Sequence, residues 1–215
     1  MFALTKRMLL LSLTHTILVT PQLRAEQSSQ TPAKSSNTVS TPKQASMAQF
    51  TPPAGWALAD ASSLPRSVKI MVVGKGKGNF PPSINLGTEP YNGTLKQYLK
   101  IIKAINDSQG SQWKDLGTIR TAAGEASLSQ VDTLTEWGEV RMMHVILLKE
   151  GNIYILTAAA KKEEFPEHYK TFFESMRSLR FSNSPFDVLT DPAKKEAIAV
   201  KVANLQNAFN QLFKN

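Results

Sequence analysis

Between Phe50 and Phe181 the chain alternates short stretches of apolar–polar spacing with two stretches in which apolar residues recur three and four apart. Period two marks strands and period 3.6 marks helices. Trp56 follows the turn residues Thr51-Pro52-Pro53-Ala54-Gly55 and opens a first strand. Residues 67–73, with Val68, Ile70, Val72 and Val73, read as a second, and residues 83–86 as a short third after Pro81 and Pro82. Residues 74–79, an alternation of Gly and Lys, read as a mobile turn between them. Four more strands are predicted over 113–121, 126–134, 140–148 and 153–159. They are punctuated by Ala123-Gly124-Glu125, Trp137-Gly138 and Glu150-Gly151-Asn152. Sequential hairpins make the sheet mainly antiparallel. The run from Met142 to Leu148 is apolar at almost every position, which predicts a strand covered on both faces.

The first helix is announced by Thr94 and Gln97, the spacing of a capping box, with Leu95, Tyr98, Leu99, Ile102 and Ile105 on one face. A second starts near Phe165, with Pro166 in its first turn and Phe165, Tyr169, Phe172, Phe173, Met176 and Leu179 facing one way. A third follows Asp191, a good N-cap, and Pro192. Its apolar residues Ile198, Val202, Leu205, Phe209 and Leu212 form a stripe. The fold class expected is therefore α+β: a mainly antiparallel sheet of about six strands between two core helices, an α/β/α sandwich, plus a C-terminal amphipathic helix.

The ends differ in character. Lys6 and Arg7 precede a mostly apolar stretch, residues 8–19, and Gln22-Leu23-Arg24-Ala25 offers a cleavage site, the order of a secretory signal peptide. The apolar stretch is shorter than the ~20 residues that span a bilayer. Residues 26–48 are rich in Ser, Thr, Gln, Pro and Lys, and bury too little to offset their ordering entropy, so they read as a tether. The expected division is a signal peptide over 1–25, a disordered linker over 26–48, the α+β domain over 49–182, and a linker with the last helix over 183–215. The expected location is outside the cytoplasm, periplasmic or secreted.

With 41% hydrophobic residues the chain has the material for a core. It has no cysteine, which excludes disulfides, thiolate metal sites, a cysteine nucleophile and an N-terminal lipid anchor. The formal charge is +8, with Lys6, Arg7 and Arg24 inside the leader; the remainder gives weak attraction to anionic surfaces.

The stretch Phe50-Thr51-Pro52-Pro53-Ala54-Gly55-Trp56, then Pro81-Pro82-Ser83-Ile84-Asn85-Leu86 and the helix with Leu95 and Tyr98, resembles the PsbP-like and DcrB-like fold. So do Gly124-Glu125-Ala126, the strand with Tyr154-Ile155-Leu156-Thr157-Ala158, and residues 165–181 closing on Ser178-Leu179-Arg180-Phe181. The resemblance spans roughly residues 50–181 and implies an antiparallel sheet between helical layers, in exported or peripheral proteins that bind or assemble. It departs in two ways. DcrB-like proteins are envelope lipoproteins and this chain lacks the cysteine to lipidate; PsbP proteins use histidine and carboxylate clusters, and beyond the leader this chain has only His144 and His168. The third helix lies outside the resemblance, and a shared fold does not transfer an activity.

The candidate chemistry is thin. His144 sits in the apolar strand run, either as a base or as a core imidazole with one hydrogen bond. Glu164 and His168, four apart, make two ligands where a zinc site needs three or four. The 74–79 loop lacks the Ser or Thr and the helix that a Walker phosphate loop requires. Its Lys75 and Lys77, with Arg66 and Lys69, form a candidate basic patch for an anionic membrane surface or simply a solvated tip. No aromatic is interleaved, which argues against nucleic acid. Asn92-Gly93-Thr94 matches a glycosylation sequon but is already accounted for as turn and cap. No catalytic, metal or cofactor site is assigned. The third helix packs back on its own domain or binds a partner, another envelope protein or a second copy. The expected function is a non-enzymatic exported binding or assembly module of the cell envelope. The alternatives are a hydrolase using carboxylates such as Glu125, Asp132 or Glu139, and a secreted host-interacting factor.

Overall fold

The computed structural model describes residues 47–183 and, beyond them, positions 193, 196–198, 200–202 and 204, which are helical. The expected leader, the tether up to residue 46, and Leu205, Phe209 and Leu212 lie outside the described residues.

The chain runs β1 (Met47–Gln49), β2 (Ala57–Leu58), a 3-10 turn (Ala61–Ser63), β3 (Val68–Val73), β4 (Ser83–Pro90), α1 (Leu95–Ser108), β5 (Gln112–Thr121), β6 (Gly124–Thr135), β7 (Gly138–Lys149), β8 (Asn152–Lys161), α2 (Phe165–Arg177) and β9 (Arg180–Ser182). Seven strands form one sheet in the order β2-β3-β4-β8-β7-β6-β5, and β1 pairs with β9 in a separate two-stranded ribbon. Every pairing is antiparallel. The fold is the α+β sandwich that the hydrophobic pattern predicts.

The central strands β7 and β8 are covered on both faces, as the apolar run in β7 requires. On one face α2 lays Phe165, Phe172 and Met176 onto Met143, Val145, Leu156 and Ala158. On the other, α1 lays Tyr98 and Ile102 onto Ile146 and Ile153, and Phe80 leans on Val131, Val140 and Met142. The capping box at α1 is complete: Gln97 N–H donates to Thr94 Oγ1 at 3.2 Å and Thr94 N–H to Gln97 Oε1 at 2.8 Å.

Three features differ from the sequence reading. Met47 and Ala48, read as tether, are in β1, where Ala48 faces Phe181 and packs on the core; the partner strand satisfies backbone groups that local composition could not foretell. The strand expected over 83–86 continues to Pro90, because β8 pairs with it from Ser83↔Ala159 to Pro90↔Asn152. The Gly-Lys segment, read as a turn, is exposed over residues 75–79, and two of its glycines also allow a close contact that the sequence did not show. A Cβ at Gly74 would lie 2.6 Å from Trp56 Cε2, and one at Gly76 2.9 Å from the Pro81 Cα. Trp56 in turn stands edge-on to Phe172 with ring centroids 6.0 Å apart.

Gly74→Ala should therefore destabilise by about 1–3 kcal/mol through overpacking. Thermal melts of Gly74→Ala, Trp56→Leu and the double variant check this. The alanine should cost much less in the Trp56→Leu background, where the ring it meets is gone.

Candidate functional site

The side chains of β6 and β7 alternate between the α1 face and the α2 face, which sorts the candidate residues. On the α1 face, α1 does not close against the sheet along its whole length. Leu95, Lys96, Leu99, Lys100 and Lys103 form one wall of a groove, and Trp113, Asp115, Thr118, Glu125 and Ser127 of β5 and β6 form the other. Its volume is about 510 Å³, and its walls are mostly carbon. That size and character are typical of small-molecule sites. At the groove β5 carries a bulge, its register with β6 shifting between Asp115 and Thr118. Gly117 there has φ +85°, and its N–H donates to Asp115 Oδ1 at 2.8 Å. The bulge turns the edge strand locally and needs glycine's left-handed backbone.

The charge around the groove is uneven. Lys103 is paired with Asp107 on its own helix. Asp115 is engaged by the bulge. Lys96 and Lys100, one turn apart, form no ion pair among the described residues.

Next to the groove, under α1, a row of polar side chains crosses the sheet: Asn85, Thr157, His144 and Ser129, each facing the next across strand pairs. All four are buried. His144 Nδ1 lies 3.0 Å from Thr157 Oγ1. Burial alone pushes the His144 imidazole down to about 4, so it is neutral through the physiological range. On this face Tyr98 donates to Glu89, and burial, reinforced by that carboxylate, raises the phenol well above its ordinary value.

The other sequence candidates are dispersed. Asp132 is on the opposite, α2 face of β6 from Glu125. Both its oxygens are taken by Arg141, from Nε at 2.8 Å and Nη2 at 2.7 Å. That guanidinium holds the Asp132 carboxyl below the usual carboxylate range. Lys162 bridges Asp132 at 3.5 Å and Glu139 at 3.4 Å. Of the three carboxylates named for a hydrolase, Asp132 and Glu139 thus meet at Lys162, while Glu125 stands on the other face of the sheet, so the three do not form one site. Glu164 is buried at the start of α2 and accepts from Lys77 N–H at 3.3 Å, while His168 meets Trp56 edge-on and Phe172 at a tilt. Among the described residues no three His, Asp or Glu gather as metal ligands. In the basic patch, Lys77 is ion-paired with Glu167 and Lys69 Nζ donates to the Arg66 carbonyl at 3.1 Å; Arg66 and Lys75 are exposed. On the last helix Ile198 and Val202 are 39% and 41% exposed. No helix among the described residues is long and apolar enough to cross a membrane.

Sequence reasoning missed the groove. The sequence pattern of α1 singles out its apolar face and assigns nothing to Lys96, Lys100 and Lys103, and only the position of β5 makes them one side of a groove.

No protein-family model and no curated protein matches the chain. Solved structures resemble it. LpqN of Mycobacterium tuberculosis, involved in cell envelope biogenesis, is 13% identical over 67% of this chain and 87% of that one, with a TM-score of 0.46. The cyanobacterial PsbP of Synechocystis is 12% identical over 71% of this chain and 100% of that one, with a TM-score of 0.42. The Ran-binding protein Mog1p of Saccharomyces cerevisiae is 12% identical over 63% and 87%, with a TM-score of 0.39. A PsbP is thus among the structures the chain is similar to, in line with the resemblance carried by its Pro, Gly and apolar pattern.

The buried imidazole sets a pH dependence. The unfolded His144 takes up a proton near 6.5 and the folded one only near about 4. Acidification through that window therefore favours the unfolded chain, by at most about 1.4 kcal/mol per pH unit. Urea midpoints at pH 7 and pH 5 should show this loss, and His144→Gln should reduce it.

Proposed function

We propose that this chain is a non-enzymatic binding module of the cell envelope, exported on its leader and held by its tether, which takes an amphipathic anion into the groove beside α1. The observation that carries the reading is the groove itself: a mostly apolar lining around about 510 Å³, with two ammonium groups at its wall, Lys96 and Lys100, that have no ion pair among the described residues. Leu95, Leu99 and the Trp113 ring, each half-buried, offer an apolar chain a surface to cover. The lysines offer an anionic head charge-assisted hydrogen bonds while their stems extend the apolar wall. Nothing about the groove supplies a nucleophile with a positioned base, so binding rather than turnover is the activity it suits.

Decanoate and 1-decanol, which share a chain and differ in charge, test this. Decanoate should change Trp113 fluorescence saturably, and more tightly than decanol. Lys96→Glu with Lys100→Glu should weaken decanoate at least about tenfold, worth about 1.4 kcal/mol, and leave decanol nearly unchanged. Equal binding of the two probes, or binding indifferent to the double substitution, sinks the reading.

A second surface is favoured by a separate observation, the exposure of Ile198 and Val202. In sequence Ile198, Val202, Leu205, Phe209 and Leu212 keep alternate spacings of four and three, the seam of a coiled coil. The partner such a seam fits is a second copy of the same helix. Sedimentation of residues 26–215 should show a concentration-dependent dimer that Val202→Asp abolishes without changing the melting temperature of the monomer. A monomer at all concentrations removes self-association.

A further inference from the structure

Ser129 Oγ, His144 Nε2 and Trp113 Nε1 are buried, and none has a hydrogen-bond partner among the described residues. Ser129 and His144 are direct partners on β6 and β7 and point to the α1 face, at 0% and 1% exposure. Trp113 stands on the same face of β5, opposite Val131. Its indole packs both on the cluster of Val131 and Met142 and on the cluster of Tyr98, Ile102 and Ile146. Those two clusters flank the Ser129–His144 pair on either side, so an indole packed on both stands next to that pair. An orphaned buried polar atom costs about 1–3 kcal/mol, and three in one neighbourhood is a burden that one shared bridging group removes.

We infer that these three side chains hold a single sequestered water molecule, enclosed between the sheet and the Trp113 ring. A buried water makes about three hydrogen bonds to otherwise unsatisfied groups, the number of atoms available. The donor and acceptor roles close in either imidazole tautomer. The indole N–H only donates, so the water accepts from it. If His144 Nδ1 carries the proton and gives it to Thr157 Oγ1, the water donates to Nε2 and meets Ser129 Oγ with its other hydrogen. If Thr157 donates to Nδ1, Nε2–H donates to the water, and the water donates to Ser129. An acceptor-only anion fits the second arrangement alone, and would enter an interior with no countercharge on the row. Water is therefore the ligand the chemistry selects. The neutral state of the imidazole agrees with this.

Trp113 also forms part of the groove wall, so the water lies directly behind the surface assigned above to a ligand, but its existence does not depend on that assignment. The test is water-selective cross-relaxation on the nitrogen-15-labelled full chain. The Trp113 indole resonance is identified by its loss in Trp113→Phe. The expected result is a cross peak to water with the sign of a molecule resident for longer than the protein's tumbling time, with slow exchange of the indole proton. Ser129→Ala, which removes one anchor and adds no volume, should abolish or strongly weaken that peak while the chain stays folded. An indole proton without a water cross peak overturns the inference. So does a peak unchanged in Ser129→Ala, and so does an indole resonance that moves when chloride is replaced by bromide, which would assign an anion instead.

Discussion

The structure depends on β7 and β8 being buried on both faces at once. A strand pair in the middle of a seven-stranded sheet can satisfy its backbone through β4 and β6, but its side chains need a roof above and below. The two helices supply those roofs, and each reaches the sheet through an amphipathic stripe set by its own spacing. Phe172 and Met176 on one side, and Tyr98 and Ile102 on the other, are almost wholly removed from water. The loop between β3 and β4 completes the second roof with Phe80, and its glycines are needed because the chain passes tightly over Trp56 and Pro81.

The two faces carry different chemistry. The α2 face is apolar through its centre, and its ionic groups, Asp132 with Arg141 and Lys162, sit at one end where Arg141 also lies over Phe165. The α1 face is divided by the polar row Asn85–Thr157–His144–Ser129. Such a row lowers the apolar contribution of that layer and requires paired hydrogen bonds instead. It also fixes register: a slip of one residue would turn His144 and Thr157 out of the polar row and into the mainly apolar layer under α2. The imidazole in this row is a structural group, which is one of the two readings its apolar sequence context left open.

Legibility followed the range of the interactions. The α1 capping box, the hairpin turns and the apolar run of β7 are local, and Thr94, Gln97 and the Gly151 turn announce them within a few residues. The extension of β4 through Gly87, Thr88, Glu89 and Pro90 is imposed by β8, far along the chain, and the propensities of Gly87, Glu89 and Pro90 oppose it. The β1–β9 pairing joins positions at opposite ends of the domain, so neither strand has a local signature. The groove was illegible for the same reason. Lys96 and Lys100 become part of a site only when the bulged edge of β5, with Trp113, comes to stand opposite them. His144 was visible as a residue, while its neighbours Ser129 and Thr157 carry no signal until the register brings them alongside.

Trp113 is where the two levels of organisation meet. An indole at the edge of a sheet must cover apolar surface with its rings and find a partner for its N–H. Here the ring packs on both apolar clusters of the α1 face, its N–H is buried without a partner among the described residues, and it still contributes to the groove wall. A phenylalanine would serve the first role, and a leucine part of the last; only an indole also brings a buried N–H. Anything that presses into the groove therefore presses on the ring that stands next to the polar row.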